Sequence, residues 1–79
     1  MKVRVLFFGA TADETGKRSF ELPTQDGGTV QAAFDETVNA FPQLRKHKLL
    51  LAVNQEYVSG EHILKDGDEL AIFTAVSGG

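Results

Sequence analysis

The sequence predicts an α+β fold in which a mixed sheet is covered on one face by one principal helix. Segments that alternate apolar and polar residues, as β-strands do, occur near both ends of the chain. Between them, residues 30–41 carry apolar side chains at the spacing of one helix face. The 79 residues are enough for one domain, so the helix and the sheet must bury their apolar sides against each other.

Composition excludes several classes of function. There is no cysteine, so a disulfide, a thiolate metal site and a side-chain sulfur carrier are all excluded. The formal charge of −3 is uneven, because residues 56–79 hold one lysine against five acidic residues, a net of −4. An acidic end suits a basic protein partner and argues against nucleic acid. The apolar run Val5–Ala10 is too short for a membrane span or a signal peptide, so we expect a cytoplasmic protein.

The first strand is predicted at Lys2–Phe8, a stretch of β-branched and aromatic residues without glycine or proline. Alternation gives it an apolar inner face of three residues: Val3, Val5 and Phe7. The other face carries Lys2 and Arg4, so it is predicted to face solvent. Leu6 and Phe8 share that outer face, where clustered apolar residues suggest a partner.

A short helix and a second strand follow. Thr11 and Glu14 have the spacing of a capping box with Thr11 as the cap, and Gly16 can end the helix in a left-handed conformation. Residues 18–22 alternate again as far as Pro23, and we expect them to pair antiparallel with the first strand.

The principal helix begins after Thr29, which is a suitable N-cap. Its apolar face consists of five residues at helical spacing: Val30, Ala33, Phe34, Val38 and Phe41. Pro42 ends the helix, because proline disfavours the helical conformation of the residue before it. The basic run Arg45–Lys48 is predicted to be a solvated connector, with contact to an acidic partner as the alternative. His47 and His62 have no visible second ligand, so neither is assigned a metal-binding or catalytic role.

Two strands and two turns are predicted in the next part of the chain. Residues 49–53 form a continuous apolar strand, as expected when both of its faces are covered. Residues 54–55 form a turn and residues 56–58 a short strand after it. Residues 65–68 form a tight turn around Asp-Gly, and we prefer this to a calcium loop because the downstream calcium ligands are missing.

The last strand is predicted at residues 69–75. Two apolar residues of this strand point inward: Leu70 and Ile72. Glu69 marks the outer face, so Phe73 is an outward aromatic residue. The chain then runs directly into the terminal Gly-Gly sequence.

The order of these elements resembles the ubiquitin-like β-grasp fold, in which the last strand lies parallel to the first at the centre of the sheet. Phe8 and Phe73 would then be neighbours on the exposed face, and together with Leu6 they form the predicted partner-binding patch. Over its whole length the chain is also similar to the small, sulfur-carrying subunit of molybdopterin synthase. Four segments carry this resemblance, in the right order and spacing: Val5–Gly9, Leu51–Gln55, Leu64–Ala71 and Phe73–Gly79.

The resemblance implies a reacting group at the end of the chain. Residues 1–75 would be the folded domain and residues 76–79 an extended tail. The carboxylate of Gly79 would be activated as an acyl-adenylate by a ubiquitin-activating-like enzyme that uses ATP, and a sulfur-donating enzyme would allow its conversion to a thiocarboxylate. Sulfur would then pass to cyclic pyranopterin monophosphate, without a cofactor or metal bound to this chain. Three residues would thread the channel of the large, catalytic synthase subunit: Val76, Ser77 and Gly78.

Two other classes of function stay open on the sequence. Thiamine sulfur carriers and ubiquitin-like modifiers share the Gly-Gly end, so a carrier for thiamine or tRNA thiolation, or a protein modifier, is the first alternative. A protein-interaction domain whose Gly-Gly end is incidental is the second. As the sulfur-donor subunit of a synthase, the isolated chain is not expected to be a catalyst, because the tail offers only Ser77 and the general acids and bases must then lie on the partner.

Overall fold

The computed structural model describes residues 1–25 and 27–74. Along this part of the chain the elements are β1 (Lys2–Phe7), α1 (Ala10–Thr15), β2 (Ser19–Pro23), α2 (Val30–Ala40), a 3-10 helix (Pro42–Lys46), β3 (Leu49–Val53), β4 (Glu56–Tyr57) and β5 (Glu69–Thr74). Apart from the 3-10 helix, their order is the one that the sequence predicts. The last residue of the predicted final strand, Ala75, lies outside the described residues.

The five strands form one mixed sheet in the order β2-β1-β5-β3-β4. β1 and β5 are parallel neighbours, and the other strand pairs are antiparallel. The predicted hairpin of the first two strands and the predicted central position of the last strand are both confirmed. Because β1 and β5 run in the same direction, their C-terminal ends lie at the same edge of the sheet.

The core lies between α2 and the inner face of the sheet. β1 and β5 contribute the residues that alternation assigns to this face, and all of them are buried: Val3, Val5, Phe7, Leu70 and Ile72. α2 contributes three buried apolar residues: Val30, Ala33 and Val38. The ring centroid of Phe7 lies 5.7 Å from that of Phe20 and 5.6 Å from that of Phe41, so an aromatic cluster extends this core.

The predicted ends of α2 are confirmed. Thr29 Oγ1 accepts a hydrogen bond from the Ala32 N–H at 3.1 Å, which satisfies one of the free donors of the first turn. The helix stops before Pro42, and the 3-10 helix that follows buries Leu44. The basic side chains of this region are exposed, as a solvated connector requires: Arg45, Lys46 and Lys48.

The predicted capping box of α1 is wrong. The helix begins one residue before Thr11, because Gly9 has a φ of 54° and turns the chain directly after β1. Thr11 therefore lies inside the helix, with its side chain fully buried. Glu14 Oε1 lies 3.1 Å from His47 Nε2 rather than at the helix N-terminus. The predicted left-handed end at Gly16 is confirmed, with a φ of 72°.

The prediction that both faces of β3 are covered is wrong for the first part of the strand. The side chains of 49–51 are only half-buried, whereas Ala52 and Val53 are buried. Leu49 and Leu51 lie on the inner face and pack against the core, whereas Leu50 is aligned with Phe73 on the opposite face, where the described residues place no second layer. This uncovered surface is called the outer face below.

Candidate docking site

One row of side chains crosses the outer face from β1 to β4. The strand pairing aligns Leu6 with Ala71, Ala71 with Ala52, and Ala52 with Tyr57. Side chains that are aligned in this way share one face of a sheet. The two alanines in the middle form a low floor, and Tyr57 rises at one side of it.

A second row lies beside the first, at the C-terminal ends of β1 and β5. Phe7 is aligned with Ile72, so the next residue along each strand places Phe8 near Phe73 on the outer face. The side chain of Phe8 is 52% exposed and that of Tyr57 is 74% exposed. The ring centroids of Tyr57 and Phe73 lie 6.0 Å apart and tilt by 52°, which is a favourable aromatic contact.

These residues surround an apolar depression of about 500 Å³. Its walls and floor come from Phe8, Ala52, Tyr57, Ala71 and Phe73, which we call the docking patch. Exposed apolar surface of this kind on a small domain indicates a site for another protein or ligand. Thr74, the last described residue before the Gly-Gly sequence, also lines the depression.

The structure brings together two of the three residues of the predicted patch. Phe8 and Phe73 line the same depression, as neighbours on the exposed face. Leu6 instead faces a separate depression on the other side of Phe8, together with Ala12 and Lys17. Phe8 thus stands between two concave surfaces, and Leu6 is adjacent to the docking patch rather than part of it. Their role in binding stays a prediction.

Sequence reasoning missed Tyr57, although a signal for it was present. Asn54 and Gln55 both have positive φ, which is the backbone of a two-residue hairpin turn. A hairpin of that length aligns Ala52 with Tyr57, as observed. The predicted turn and short strand are confirmed, but the prediction did not extend to their register. That register is what places Tyr57 on the outer face.

The opposite end of the outer face is charged. Arg4 is aligned with Glu21 on β2 and with Glu69 on β5. Lys2 Nζ lies 3.6 Å from Glu21 Oε2, with both side chains largely exposed. An exposed pair of this kind contributes little to stability. Together these charged residues make the outer face polar where β1 begins, whereas it is apolar where β1 ends.

A hydrogen-bonded turn holds the β3–β4 hairpin against β5. Asn54 Nδ2 donates to Asp68 Oδ1 at 3.0 Å, and the Glu69 N–H donates to Asn54 Oδ1 at 3.0 Å. The Lys65 N–H donates to Asp68 Oδ2 at 2.8 Å. The bond from the Lys65 N–H, and after it the bond from Asn54, lower the pKa of Asp68 because they favour its charged form. The predicted Asp-Gly turn is confirmed, with Gly67 at a φ of 85°.

The histidines and acidic residues form no further candidate site in the described part of the chain. No group of three potential metal-ligating side chains occurs within residues 1–25 and 27–74. His47 pairs with Glu14, which ties the segment after α2 to α1. None of the helices described is long and apolar enough to cross a membrane.

The predicted reacting residue and tail lie outside the described residues. They comprise Val76, Ser77, Gly78 and Gly79, together with the predicted boundary between the domain 1–75 and the tail 76–79. The patch beside Thr74 is therefore the part of the predicted site whose geometry is known.

Comparison with known proteins assigns the family. Residues 5–79 match the ThiS family, and the chain belongs to it. It is 38% identical to the molybdopterin synthase sulfur carrier subunit of Mycobacterium tuberculosis, covering 100% of this chain and 99% of that protein. It is 36% identical to the protein of the same name from Arabidopsis thaliana, covering 100% of this chain and 84% of that protein. The resemblance seen in the four sequence segments is therefore confirmed.

Solved structures confirm the ubiquitin-like β-grasp fold. The chain superposes on the crystal structure of SAMP1 from Haloferax volcanii with a TM-score of 0.89, at 28% identity and with 100% of both chains covered. It also superposes with a TM-score of 0.73 on a chain of the complex of subunits 1 and 2 of the molybdopterin-converting factor from Helicobacter pylori, at 23% identity and with 100% of both chains covered. In the second case the likeness concerns the fold alone.

Proposed function

We propose that this chain is the sulfur-carrying subunit of a molybdopterin synthase and that Gly79 carries the sulfur as a thiocarboxylate. The observation that supports this best is the position of the docking patch, because Thr74 also lines the depression. Five residues follow Thr74 in the sequence and would span about 16–18 Å when extended. A partner that covers the patch would thus have the end of the chain within reach of a recessed active site. The names of the full-length relatives support the same assignment.

The chemistry requires activation of the terminal carboxylate. A free terminal carboxyl group has a pKa near ~3.5, so at neutral pH it is an unreactive anion. An oxygen of the Gly79 carboxylate attacks the α-phosphorus of ATP on the activating enzyme, and pyrophosphate leaves. A sulfur nucleophile in the oxidation state of sulfide then displaces AMP to give the thiocarboxylate. The thiocarboxylate sulfur then attacks a side-chain carbon of the pterin, where a carbon–oxygen bond breaks and the oxygen leaves as water or phosphate. Hydrolysis of the remaining carbon–sulfur bond to Gly79 leaves the sulfur on the pterin and restores the carboxylate.

This mechanism assigns the acid and base chemistry to the partner proteins. The tail has no ionisable side chain, since its four residues are Val76, Ser77, Gly78 and Gly79. Glycines at the tip let a narrow channel close around the backbone, which a larger side chain would obstruct. The large subunit would bind the docking patch and supply the catalytic groups. The adenylating enzyme would use ATP at its own site, and a separate enzyme would supply sulfur, all in the cytoplasm.

Deletion of Gly79 tests the proposal most directly. The truncated chain still ends in a carboxylate, on Gly78, but this group is withdrawn by about 3.5 Å, the length of one extended residue. Because reacting atoms must approach to about 3–3.5 Å, we expect sulfur loading and transfer to be lost. The measurements are the mass increase for one oxygen-to-sulfur exchange and the formation of molybdopterin with the large subunit.

Matched variants separate position from chemistry. A chain with one added glycine should also fail, because its carboxylate passes the reactive point. Gly78→Leu should fail because the side chain obstructs the channel. All three variants should melt at the temperature of the parent chain. If the chain without Gly79 accepts and delivers sulfur at the normal rate, the proposal is wrong.

Conjugation to other proteins is the second candidate function. It is supported by the superposition on SAMP1, named small archaeal modifier protein 1, at 28% identity over both full chains. The two functions share the acyl-adenylate and diverge at the next step, where a lysine amine rather than sulfur would displace AMP. Incubation with the activating enzyme, ATP and a lysine-rich acceptor protein distinguishes them, since only a modifier yields an amide-linked adduct that resists thiols.

A further inference from the structure

Thr11 is a fully buried polar residue that has no part in the proposed sulfur chemistry. Its side chain is 0% exposed, so it cannot touch a partner. Its Oγ1 accepts a hydrogen bond from the Phe8 N–H at 2.9 Å. The same oxygen donates to the Ile72 carbonyl oxygen, 2.8 Å away, and lies 3.0 Å from the carbonyl oxygen of Phe8. A hydroxyl has one proton, and the carbonyl of Ile72 is the nearer acceptor.

The hydroxyl of Thr11 occupies a position in the ladder between β1 and β5. Earlier in this ladder the Arg4 N–H donates directly to the Asp68 carbonyl oxygen at 2.9 Å. In a parallel pair such bonds repeat at every second residue of both strands. Four residues further along each strand, the expected bond would join the Phe8 N–H to the Ile72 carbonyl.

The Thr11 hydroxyl stands between these two groups. The direct bond is thus replaced by a relay, in which Phe8 donates to Thr11 and Thr11 donates to Ile72. A hydroxyl can do this because it is both a donor and an acceptor, whereas an aliphatic side chain of the same shape is neither. The relay thus takes the place of a direct bond between β1 and β5 at the point where the docking patch begins.

The relay controls where two aromatic residues of the patch lie. Phe8 is held through its own N–H, and its carbonyl accepts a hydrogen bond from the Thr11 N–H at 3.1 Å. Ile72 directly precedes Phe73 in β5. The backbones that carry both rings are therefore fixed to one buried hydroxyl, although the ring of Phe8 is 52% exposed. A surface that is ordered before binding loses less entropy when the partner arrives.

We propose that Thr11 is a positioning residue for partner docking, which sets the spacing between Phe8 and Phe73 and so shapes the docking patch. This inference rests on the proposed function, since it takes the large synthase subunit as the partner. Thr11 acts through the two aromatic residues and touches neither the partner nor the reacting carboxylate.

The test compares two buried threonines. Thr37 is also 0% exposed, and its Oγ1 donates to the Ala33 carbonyl oxygen at 2.8 Å within α2. Thr11→Val and Thr37→Val each remove one buried hydroxyl at nearly constant shape. Affinity for the large subunit is measured by calorimetry, next to a thermal unfolding curve for each variant. We expect Thr11→Val to weaken binding by about tenfold or more and Thr37→Val to leave it unchanged.

Thr11→Ser provides the rescue, because it retains the hydroxyl and should bind within about twofold of the parent chain. At saturating carrier concentration, Thr11→Val should transfer sulfur at a near-normal rate, so that KM rises and kcat does not fall. A purely structural role would lower the melting temperature of Thr11→Val without changing its affinity at a temperature where it is folded, and that result would overturn the proposal.

Two further variants complete the test. If Thr11→Val does not fold, Thr11→Cys replaces it, since a thiol is a weak donor and acceptor and should weaken binding to an intermediate extent. Parent-like affinity in a folded Thr11→Cys chain would then contradict the proposal. Phe73→Asp tests the patch itself. If it abolishes binding while Thr11→Val binds normally, the inference on Thr11 fails alone. If both bind normally, docking through the patch is wrong.

Discussion

The two faces of β5 differ in what their side chains do, although they belong to alternate residues of one strand. Leu70 and Ile72 point inward and are 0% exposed. Ala71 and Phe73 point outward and line the docking patch. The inner residues stabilise the fold by burial within the chain, whereas the outer ones retain apolar surface that another molecule could bury. Changes to neighbouring residues should therefore affect different measurements.

A change on the inner face should have the largest effect on stability. Ile72→Ala removes three buried carbon atoms and leaves a cavity, which commonly costs about 2–5 kcal/mol in the free energy of unfolding. For a domain this small, such a loss is a large fraction of the total stability. Chemical denaturation measures it. A cost below about 1 kcal/mol would show that this part of the core is not tightly packed.

A change on the outer face should act on binding instead. Phe73→Asp places a charge in the apolar depression, and truncating a central interface aromatic typically costs about 2 kcal/mol or more of binding free energy. Affinity for the large subunit and for the activating enzyme is measured, with thermal unfolding as the folding check. Ile63→Asp is the matched control, because Ile63 is 51% exposed and lies outside the patch. Unchanged binding by folded Phe73→Asp would refute the docking patch.

Charge should contribute less than the apolar patch, and to rate more than to affinity. Residues 56–79 carry a net charge of −4, which would attract a basic surface at the mouth of the partner's channel. Exposed charges further apart than about 8 Å are screened at physiological salt. We therefore expect the association rate to fall as salt is added, as stopped-flow measurements can show. An association rate independent of salt would leave the apolar patch as the main determinant.

The smallest expected effect concerns the turn at Asp68. Its hydrogen bonds with Lys65 and Asn54 lower its pKa below the ordinary value of 3.8. A lowered pKa in the folded state stabilises the fold above pH 3.8, and this contribution is lost as the pH falls through the folded-state pKa. Asp68→Asn should therefore make stability less dependent on pH in that acidic range. Acid unfolding curves test this, with the exposed Glu61→Gln as the control, and identical pH dependence in parent and Asp68→Asn would contradict it.

Structural features could be predicted from the sequence where a sequence pattern has a single, local physical cause. Val3, Val5 and Ile72 are assigned to the inner face by alternation alone, and all three are buried there. Thr29 could be predicted as a cap because an N-cap hydroxyl bonds to a backbone N–H of its own turn, here that of Ala32. No distant residue is involved in this hydrogen bond. These features depend on local backbone geometry, which a single segment of sequence can specify.

Features that join distant segments were harder to predict. Thr11 has the spacing of a local cap, but its hydroxyl bonds to Ile72, which is 61 residues away. The capping rule could not include that competing partner. The position of Tyr57 depends on the register of β4 on β3, and the half-burial of Leu50 depends on which face of the sheet α2 leaves open. The arrangement of residues 75–79 lies outside the described residues, so the role of Gly79 stays a prediction.

The parallel pairing of β1 with β5 has a consequence for how the chain is made. β1 is synthesised well before β5 (Glu69–Thr74), which is its parallel neighbour in the sheet. Contacts between such distant segments form late and slow the folding of a domain. On the ribosome, β1 and its hairpin with β2 must wait for β5 with one edge unpaired. A chain that stops before Phe73 therefore cannot assemble the docking patch, so competence for partner binding has to wait for the synthesis of β5.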